Sequence, residues 1–321
     1  MRRFIAILLI ATPACAEPYR APRTAWRAPD LEGVWDGNTA TPLQRAAKHF
    51  KARVATAEEV TANEGKRRVE YELDVAPLDP TAPAPTEGKV EDDAAQWGPP
   101  PPPMLRLDGS VRASLIVDPE DGQLPYTSAG QKLAAQAQRD EEESFFAPEV
   151  RPPDERCLYG GGGTAPLING PLTQIVQTPG HIVLSIESNH DVRIIPIGAA
   201  HKPAAVADLL GDSIGRWEGE TLVVETLRFN ASGARHWNHG DYVMISPQAR
   251  LTERFTRTSP TAIRYEFTVE DAANYSRPWR AETQMVAARG PVYEYGCHEG
   301  NYALRNILAG GRENTPAAAA K

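Results

Sequence analysis

The densest group of side chains suited to chemistry lies near the end of the chain, in the sequence CHEGNY that begins at Cys297. An imidazole, a carboxylate and an amide close together could transfer a proton to or from a bound carbonyl or hydroxyl group. His298 and Glu299 are therefore candidate catalytic residues, and Asn301 and Tyr302 are candidate ligand contacts. The structural alternative is that the cysteine forms a disulfide while the polar side chains bond to backbone groups at a turn and a helix start.

A second polar group, His190-Asp191, precedes a predicted strand that contains Arg193. Successive strand residues face opposite sides, so Asp191 shares a face with Arg193. His190 falls on the other face, together with Val192 and Ile194. His190 is a candidate general base, Asp191 a candidate catalytic carboxylate and Arg193 a candidate ligand contact. The alternatives are a structural ion pair between Asp191 and Arg193 and a histidine that bonds to a backbone carbonyl.

Other motifs give weaker signals. His236, His239 and Asp241 could hold a metal ion, but no helical pattern places both imidazoles on one side, and a flexible polar loop is the alternative. The glycine run at 160–163 lacks the Lys-Ser/Thr ending of a phosphate-binding loop. The sequence also lacks the nucleophile elbow of serine hydrolases and the His-Glu-x-x-His motif of zinc peptidases, which disfavours those enzyme classes. We therefore predict no metal and no cofactor.

Five further side chains on predicted strands could line a cavity: Trp217, Trp279, Glu225, Glu253 and Glu282. Among them, Trp217 and Glu282 are candidate ligand contacts. A carboxylate on an inward strand face is costly without a partner, so a buried acid is expected to pair with an arginine or a ligand. The arginines considered as partners are Arg254, Arg264 and Arg280. The alternative is that the acids lie on the solvent face.

A succession of strands is predicted to position these groups. The predicted strands are 173–178, 181–188, 191–197, 221–229, 250–257, 262–270, 280–288 and 291–297. Antiparallel strands joined by short turns close most easily as an up-and-down barrel, because closure removes the exposed edges. We therefore predict a mainly β fold, an antiparallel up-and-down β-barrel with a few peripheral helices. A β-sandwich is the alternative.

The fifth and sixth of these strands predict a hairpin with a defined register. If Phe255 lies opposite Tyr265 on the apolar face, Arg254 lies opposite Glu266 on the polar face. A slip by one residue would place Glu253 against Glu266, and like charges directly opposite each other are destabilising. The register is therefore predicted from both faces together.

The first half of the chain has less regular patterns. Residues 41–71 predict one or two amphipathic helices, the second capped by Thr56 and Glu59, and residues 128–146 predict a helix with Ser128 at its N-cap. The predicted organisation is a signal peptide at 1–16, an irregular arm at 17–30, a first strand, helices and Pro-rich strap at 31–110, the barrel at 111–312 and a disordered tail at 313–321.

Composition and the start of the chain limit the classes of function. The chain has 321 residues and a net charge of −8, and residues 1–16 have the features of a secretory signal peptide. Cleavage there would remove two arginines and no acid, which gives a charge of −10. It would leave Cys157 and Cys297 to form a disulfide in an oxidising compartment; a reactive thiol beside His298 is the alternative. We expect a periplasmic or extracellular protein without nucleic-acid partners or an integral membrane segment.

Several segments carry a resemblance when taken together. They are GVWD at 33–36, SLIVDP at 114–119, ERCL at 155–158, QIVQTP at 174–179, NHDVRIIP at 189–196, GDSIGRWEGETLVVET at 211–226 and YEYGCHEGNY at 293–302. The chain resembles a family of secreted bacterial proteins without an assigned activity, which implies a secreted location and one fold unit but no reaction. Gly33-Val34-Trp35 also resembles the Gly-x-Trp start of lipocalin-like (calycin) barrels. The Pro-rich insert before residue 104 and the loop at 235–239 depart from the family pattern.

Two functional hypotheses follow. The first is a secreted barrel that binds a small, partly apolar organic ligand in the barrel mouth. The second is a hydratase, isomerase, lyase or hydrolase on the same barrel, with His190 and His298 in acid–base roles and Asp191 and Glu299 as orienting carboxylates. Convergence of the two histidines on a pocket would favour the enzyme. The oligomeric state is not predicted.

Overall fold

The chain folds into a mainly antiparallel β structure with four peripheral helices among the residues that the structure describes. The computed structural model describes residues 19–75, 100–143, 145–151, 155–158, 166–168, 172–188, 191–203, 205–230, 235–238 and 241–314. The strands are β1 Gly33–Asp36, β2 Arg106–Leu107, β3 Ser110–Val111, β4 Ile116–Asp118, β5 Thr173–Gln177, β6 His181–Ile186, β7 Val192–Pro196, β8 Asp212–Glu218, β9 Thr221–Leu227, β10 Arg235–Asn238, β11 Asp241–Met244, β12 Arg250–Ser259, β13 Ala262–Glu270 and β14 Trp279–Ala287. The helices are α1 Ala57–Asp74, α2 Ser128–Glu143, α3 Cys297–Gly300 and α4 Tyr302–Asn314, and a 3-10 helix spans Pro148–Val150.

Nine strands form a nearly closed barrel in the order β7-β6-β5-β1-β14-β13-β12-β9-β8. The predicted antiparallel barrel is confirmed. β1 and β4 share one edge of β14, with Trp35 paired to Ala287 and Ile116 paired to Ala281. In a sheet of nine antiparallel strands, the first and the last run in the same direction, so β7 and β8 meet as parallel neighbours.

We call the line between β7 and β8 the seam. Among the described residues, these two strands are joined by one parallel bridge, between Ile197 and Gly215, where the N–H of Gly198 donates to the carbonyl of Gly215 at 2.8 Å. A Cβ atom on Gly215 would lie 2.7 Å from Cδ1 of Ile197, which is too close for any larger residue without a shift. Glycine at this position therefore allows the barrel edges to approach.

The predicted hairpin register is confirmed. Phe255 pairs with Tyr265 and Arg254 pairs with Glu266, as both strand faces required. The strand predicted at 291–297 is wrong, because this stretch is irregular and Cys297 begins α3. Both edges of the preceding strand β14 are already occupied, by β13 on one side and by β1 and β4 on the other, so no edge remains for another strand.

Five strands were missed by the strand pattern. Gly215 interrupts the apolar alternation of β8, and β10 with β11 forms a separate hairpin outside the barrel. β2 and β3 form a second small hairpin, in a region where no strand was predicted. These elements have short or broken periodicity, which is why alternation alone did not reveal them.

The helix predictions are confirmed in part. Thr56 and Glu59 form the predicted capping box of α1, with the Thr56 N–H donating to Glu59 at 2.8 Å. The residues before Thr56 form turns rather than a first helix. In α2 the cap is Thr127, whose hydroxyl accepts from the N–H of Gly130 at 3.0 Å, and Ser128 is the first helical residue.

Large aromatic side chains pack across the barrel interior. Phe255, Tyr265, Phe267 and Trp279 are buried, and their rings follow one another with centroid distances of 4.8, 5.6 and 5.5 Å. Trp35 from β1 is buried beside them in the same core and donates from its indole nitrogen to the carbonyl of Leu31 at 3.0 Å. These rings occupy volume that a wide internal ligand cavity would need.

A disulfide joins Cys157 to Cys297 across 140 positions of the chain, with the Cα atoms 5.9 Å apart. The predicted disulfide is confirmed, and the alternative of a reactive thiol is wrong. The bond ties the segment after the 3-10 helix to the start of α3. Every helix in the described part of the chain is too short or too polar to cross a bilayer.

Candidate functional site

A buried ion pair lies next to the seam. Arg193 on β7 faces inward because burial alternates along the strand, and its guanidinium binds the Glu253 carboxylate of β12 through two contacts of 2.5 and 3.0 Å. The two side chains are 1% and 0% exposed. Arg193 also donates to the hydroxyls of Ser213 on β8 at 3.2 Å and Thr226 on β9 at 3.1 Å. One side chain thus connects β7 to three strands beyond the seam.

Tyr265 completes the hydrogen bonding of Glu253. Its phenol donates to the Glu253 carboxylate at 2.8 Å and accepts from the N–H of Leu167 at 2.9 Å. Burial, and then the negative charge of Glu253, raise the pKa of Tyr265 well above its ordinary value. Burial lowers the pKa of Arg193, but the Glu253 charge and hydrogen bond outweigh it, so the net shift is upward. The tyrosine stays neutral and the arginine stays charged.

This network takes the place of a backbone ladder at the seam. Backbone pairing joins β7 to β8 at Ile197 and Gly215, and the guanidinium of Arg193 supplies the next connection along the strand. A buried ion pair is costly to desolvate, but removal of one partner leaves an uncompensated charge. The Arg193–Glu253 pair therefore ties the edge strand β7 to β12, and the contact of Arg193 with Ser213 ties β7 to the other edge strand, β8.

A pocket of about 290 Å³ opens at the seam, on the outer side of this network. Its apolar lining comes from both edges and from the connecting loop: Val192, Ile194, Pro196, Ala200, Leu210 and Ile214. Its polar lining is Arg193, Lys202, Asp208, Asp212 and Ser213. Val192 and Ile194 are 45% and 63% exposed, and together they form an exposed apolar patch at the pocket. We call this cavity the seam pocket.

Backbone groups of β7 also face the seam pocket. The carbonyl of Asp191 accepts a hydrogen bond from the last residue of β6 at 2.8 Å, and the N–H of Ile197 donates to the loop before β6 at 2.9 Å. In an antiparallel ladder the alternate residues direct their N–H and C=O groups to the other side. Val192 and Ile194 therefore present backbone donors and acceptors toward β8, beside their own apolar side chains.

A histidine that the sequence analysis did not consider holds the loop beside the seam pocket. The two ring nitrogens of His201 lie 2.8 Å from Asp212 and 3.0 Å from Glu225. The imidazole thus bridges Asp212 of β8 and Glu225 of β9. Burial raises the pKa of Asp212, but hydrogen bonds from His201 and from the N–H of Lys202 outweigh it and lower the pKa overall. No recognised motif marks His201, so this contact could not be found from the sequence.

The CHEGNY segment lies on the surface. His298 and Glu299 are exposed, and Tyr302 is 76% exposed. Asn301 donates to the carbonyl of Glu155 at 2.8 Å, and its amide oxygen accepts from the backbone of α4 at 3.3 Å. Asn301 therefore bonds to backbone groups at a turn and a helix start, which was the structural alternative for this segment. It also lines a cavity of about 410 Å³ together with Cys297.

Of the other predicted catalytic pair, His190 and Asp191, the structure describes only Asp191. His190 lies outside the described residues. Asp191 is 8% exposed at the start of β7. The guanidinium of Arg193, considered above as an alternative ion-pair partner of Asp191, pairs with Glu253. The face that the sequence assigned to His190, shared by Val192 and Ile194, is the outer face of the barrel.

The acids proposed to line a cavity divide into two groups. Glu253 is fully buried, so the expectation of a solvent-facing side chain is wrong for this residue, and its partner Arg193 is not one of the three arginines considered. Glu225 and Glu282 are partly buried on the outer wall, where Glu282 bonds to Arg112 at 2.7 Å. Two tryptophans were also proposed to line the cavity. Trp279 is buried in the core, and Trp217 is partly buried and packs against the core.

Of the three residues considered as metal ligands, His236, His239 and Asp241, the structure describes the side chain of Asp241 only. The side chain of Asp241 accepts from the amide of Gln44 at 2.6 Å, whereas His239 and the side chain of His236 are outside the described residues. Within the described part of the chain, no group of three His, Cys, Asp or Glu residues is arranged to hold a metal ion.

Comparisons of the chain with protein-family models, with curated proteins and with solved structures gave no match. The resemblance to secreted bacterial proteins therefore remains an expectation from the sequence motifs. Function has to be inferred from the site itself.

Proposed function

We propose that the protein is a secreted binding protein that holds a small, partly apolar organic molecule in the seam pocket. The observation that carries this proposal is the pairing of two features at one place. Apolar side chains and backbone polar groups of β7 face a cavity, and a buried ion pair lies directly behind it. Small-molecule sites typically combine an apolar lining with a few fixed polar groups.

The seam is a better location for a ligand than the barrel mouth, which was the site expected from the sequence. The interior is occupied by the tilted and edge-to-face rings of Phe255, Tyr265, Phe267 and Trp279. A ligand in the interior would have to displace these rings at a large cost in packing. A ligand at the seam covers Val192 and Ile194, which are exposed, and so gains apolar burial without repacking the core.

The size and lining of the seam pocket limit its ligand. A volume of about 290 Å³ lies at the lower end of the range for small-molecule sites. The ammonium of Lys202 is 55% exposed and stands 3.7 Å from the Asp212 carboxylate, so it can reach a polar group of a bound molecule. The proposed ligand therefore has an apolar body and one or two hydrogen-bonding groups.

A periplasmic or extracellular location is part of the proposal. The Cys157–Cys297 disulfide is of the kind that persists in oxidising compartments. The enzyme hypothesis relies on His298, which is exposed and does not line the seam pocket. A binding role does not need this residue.

Filling the seam pocket tests the proposal. Ala200→Trp places a large ring in the pocket, and Ala207→Trp places the same ring on an exposed part of the same loop that does not line it. The probe is N-phenylnaphthylamine, an uncharged apolar amine that fluoresces when bound. We expect Ala200→Trp to weaken binding at least tenfold and Ala207→Trp to leave it unchanged. Equal binding by both variants would contradict the proposal.

A further inference from the structure

A second cavity lies on the side of the barrel opposite the seam. It has a volume of about 730 Å³ and is enclosed by α1, by the segment 100–106 and by the end of β14. β14 is the middle strand of the nine, so its outer wall is as far around the barrel from the seam as possible. We call this cavity the arginine cleft, because Arg67, Arg106 and Arg289 line it.

Hydrogen bonds hold the walls of the arginine cleft in place. The Glu64 carboxylate of α1 accepts from the backbone N–H of Met104 at 3.0 Å and from the Arg106 guanidinium at 3.0 Å. The carbonyl of Pro103 accepts from the hydroxyl of Thr39 at 3.0 Å. The helix, the proline segment and the barrel wall are therefore joined before any ligand arrives, which reduces the ordering that binding would require.

Two of the three guanidiniums are available to a ligand. Arg106 is engaged by Glu64, whereas Arg67 and Arg289 have no salt bridge or hydrogen bond within the described part of the chain. Arg67 follows Glu64 by three positions on α1, which places both on one helix face. Asp36 is the single acidic residue among those that line the cleft. The cleft is thus locally basic on a chain with a net charge of −8.

Apolar surface lies beside these charges. Val286 on the outer face of β14 is 44% exposed, and Pro100, Pro102 and Pro103 form the facing wall. A fully hydrated inorganic ion would use only the arginines, whereas a molecule with an apolar body would also bury Val286 and the proline rings. The combination favours an organic ligand.

We propose that the arginine cleft is a second binding site, and that it binds an organic anion: a carboxylate or sulfonate group attached to an apolar body. Arg67 and Arg289 bind the anionic group through charge-assisted hydrogen bonds. Val286 and the proline wall contact the apolar body. This site is independent of the seam pocket, since the two cavities share no lining residue.

A pair of related dyes tests the charge requirement. Anilinonaphthalene sulfonate carries an anionic group on an apolar body, and N-phenylnaphthylamine is the same body without the charge. Replacing both arginines, Arg67→Gln with Arg289→Gln, should weaken binding of the sulfonate roughly tenfold or more and leave binding of the neutral dye unchanged. Arg305→Gln, on the exposed face of α4, is the matched control and should change neither affinity.

The same titration can overturn the proposal. Sulfonate binding within twofold of wild type in the double variant would show that the two arginines do not hold the anion. An equal loss for both dyes would show a general disturbance rather than anion recognition. Because neither arginine has a described protein partner, the midpoint of thermal unfolding should stay the same. Ala200→Trp should leave the arginine-dependent part of sulfonate binding intact, which separates this site from the seam pocket.

Discussion

Arg193 on β7 and Glu253 on β12 form a two-point ion pair that spans β8 and β9, at distances of 2.5 and 3.0 Å. The pair ties the edge strand β7 to β12, and Arg193 also donates to Ser213 on the other edge strand, β8. The seam pocket lies on the outer side of the pair. Stability of the barrel and formation of the proposed binding site therefore depend on the same buried contact.

Replacing Arg193 by methionine should destabilise the fold strongly. The substitution leaves the Glu253 charge buried without its cation, a situation that costs about 3–5 kcal/mol. Arg216→Met removes an exposed guanidinium of β8 and should cost about 0–1 kcal/mol. Urea unfolding measures both free energies. Replacing both members of the pair, as Arg193→Met with Glu253→Leu, should recover much of the loss, and an Arg193→Met variant as stable as Arg216→Met would contradict this role.

Removing the phenol of Tyr265 should have a smaller but clear effect. Tyr265→Phe deletes a donor to the buried Glu253 carboxylate and the acceptor for the N–H of Leu167, at a cost of about 1–3 kcal/mol. Tyr302→Phe makes the same chemical change on a side chain that is 76% exposed, so it should leave the free energy of unfolding unchanged. If the two variants unfold at the same urea concentration, the phenol does not stabilise the network.

Adding one methyl group at Gly215 should disturb barrel closure. In Gly215→Ala the new Cβ would meet Cδ1 of Ile197 at 2.7 Å and Cγ2 of the fully buried Ile195 at 3.1 Å; because Ile195 is enclosed in the core, such overpacking costs about 1–3 kcal/mol. Gly180→Ala has open space around the added atom and should change the free energy of unfolding by no more than about 0.5 kcal/mol. Thermal unfolding measures the midpoint temperature of each variant. Equal midpoints would show that β7 and β8 do not need to approach closely at Gly215.

Acid should loosen the loop held by His201. The net effect of burial and of hydrogen bonds from His201 and Lys202 is a pKa of Asp212 below its ordinary 3.8. A depressed folded-state pKa contributes stability that is fully present above the unfolded value and is lost as the pH falls through the folded value. Asp212→Asn should therefore be less stable at neutral pH and lose less stability on acidification below about pH 4. Parallel pH profiles for variant and wild type would refute this assignment.

The parts of the fold that could be predicted from the sequence are those set by a local alternation of residues or by the number of cysteines. The β12–β13 register followed from two alternating faces, so Phe255 met Tyr265 as expected. The disulfide followed from the two cysteines left after the proposed signal peptide. The strand expected at 291–297 failed because a local pattern contains no information about which edges of β14 are already taken.

The candidate site was less predictable for a physical reason. Arg193 and Glu253 are 60 positions apart on strands that are not neighbours, so no motif or spacing pairs them. Arg193 was identified as a contact residue, and Glu253 as a possible inward acid, but the seam that brings them together depends on barrel closure. His201 stands in a loop of unremarkable composition, and its position is decided by Asp212 and Glu225.

Hydrogen–deuterium exchange with and without saturating N-phenylnaphthylamine would locate the bound molecule directly. The amides of Val192 and Ile194 face the seam pocket, and the account predicts that ligand slows their exchange together with that of residues 211–214. Amides of the β12–β13 hairpin, which are already bonded on both sides, should exchange at the same rate in both states. Protection confined to other parts of the barrel or to α4, with β7 unchanged, would contradict binding at the seam.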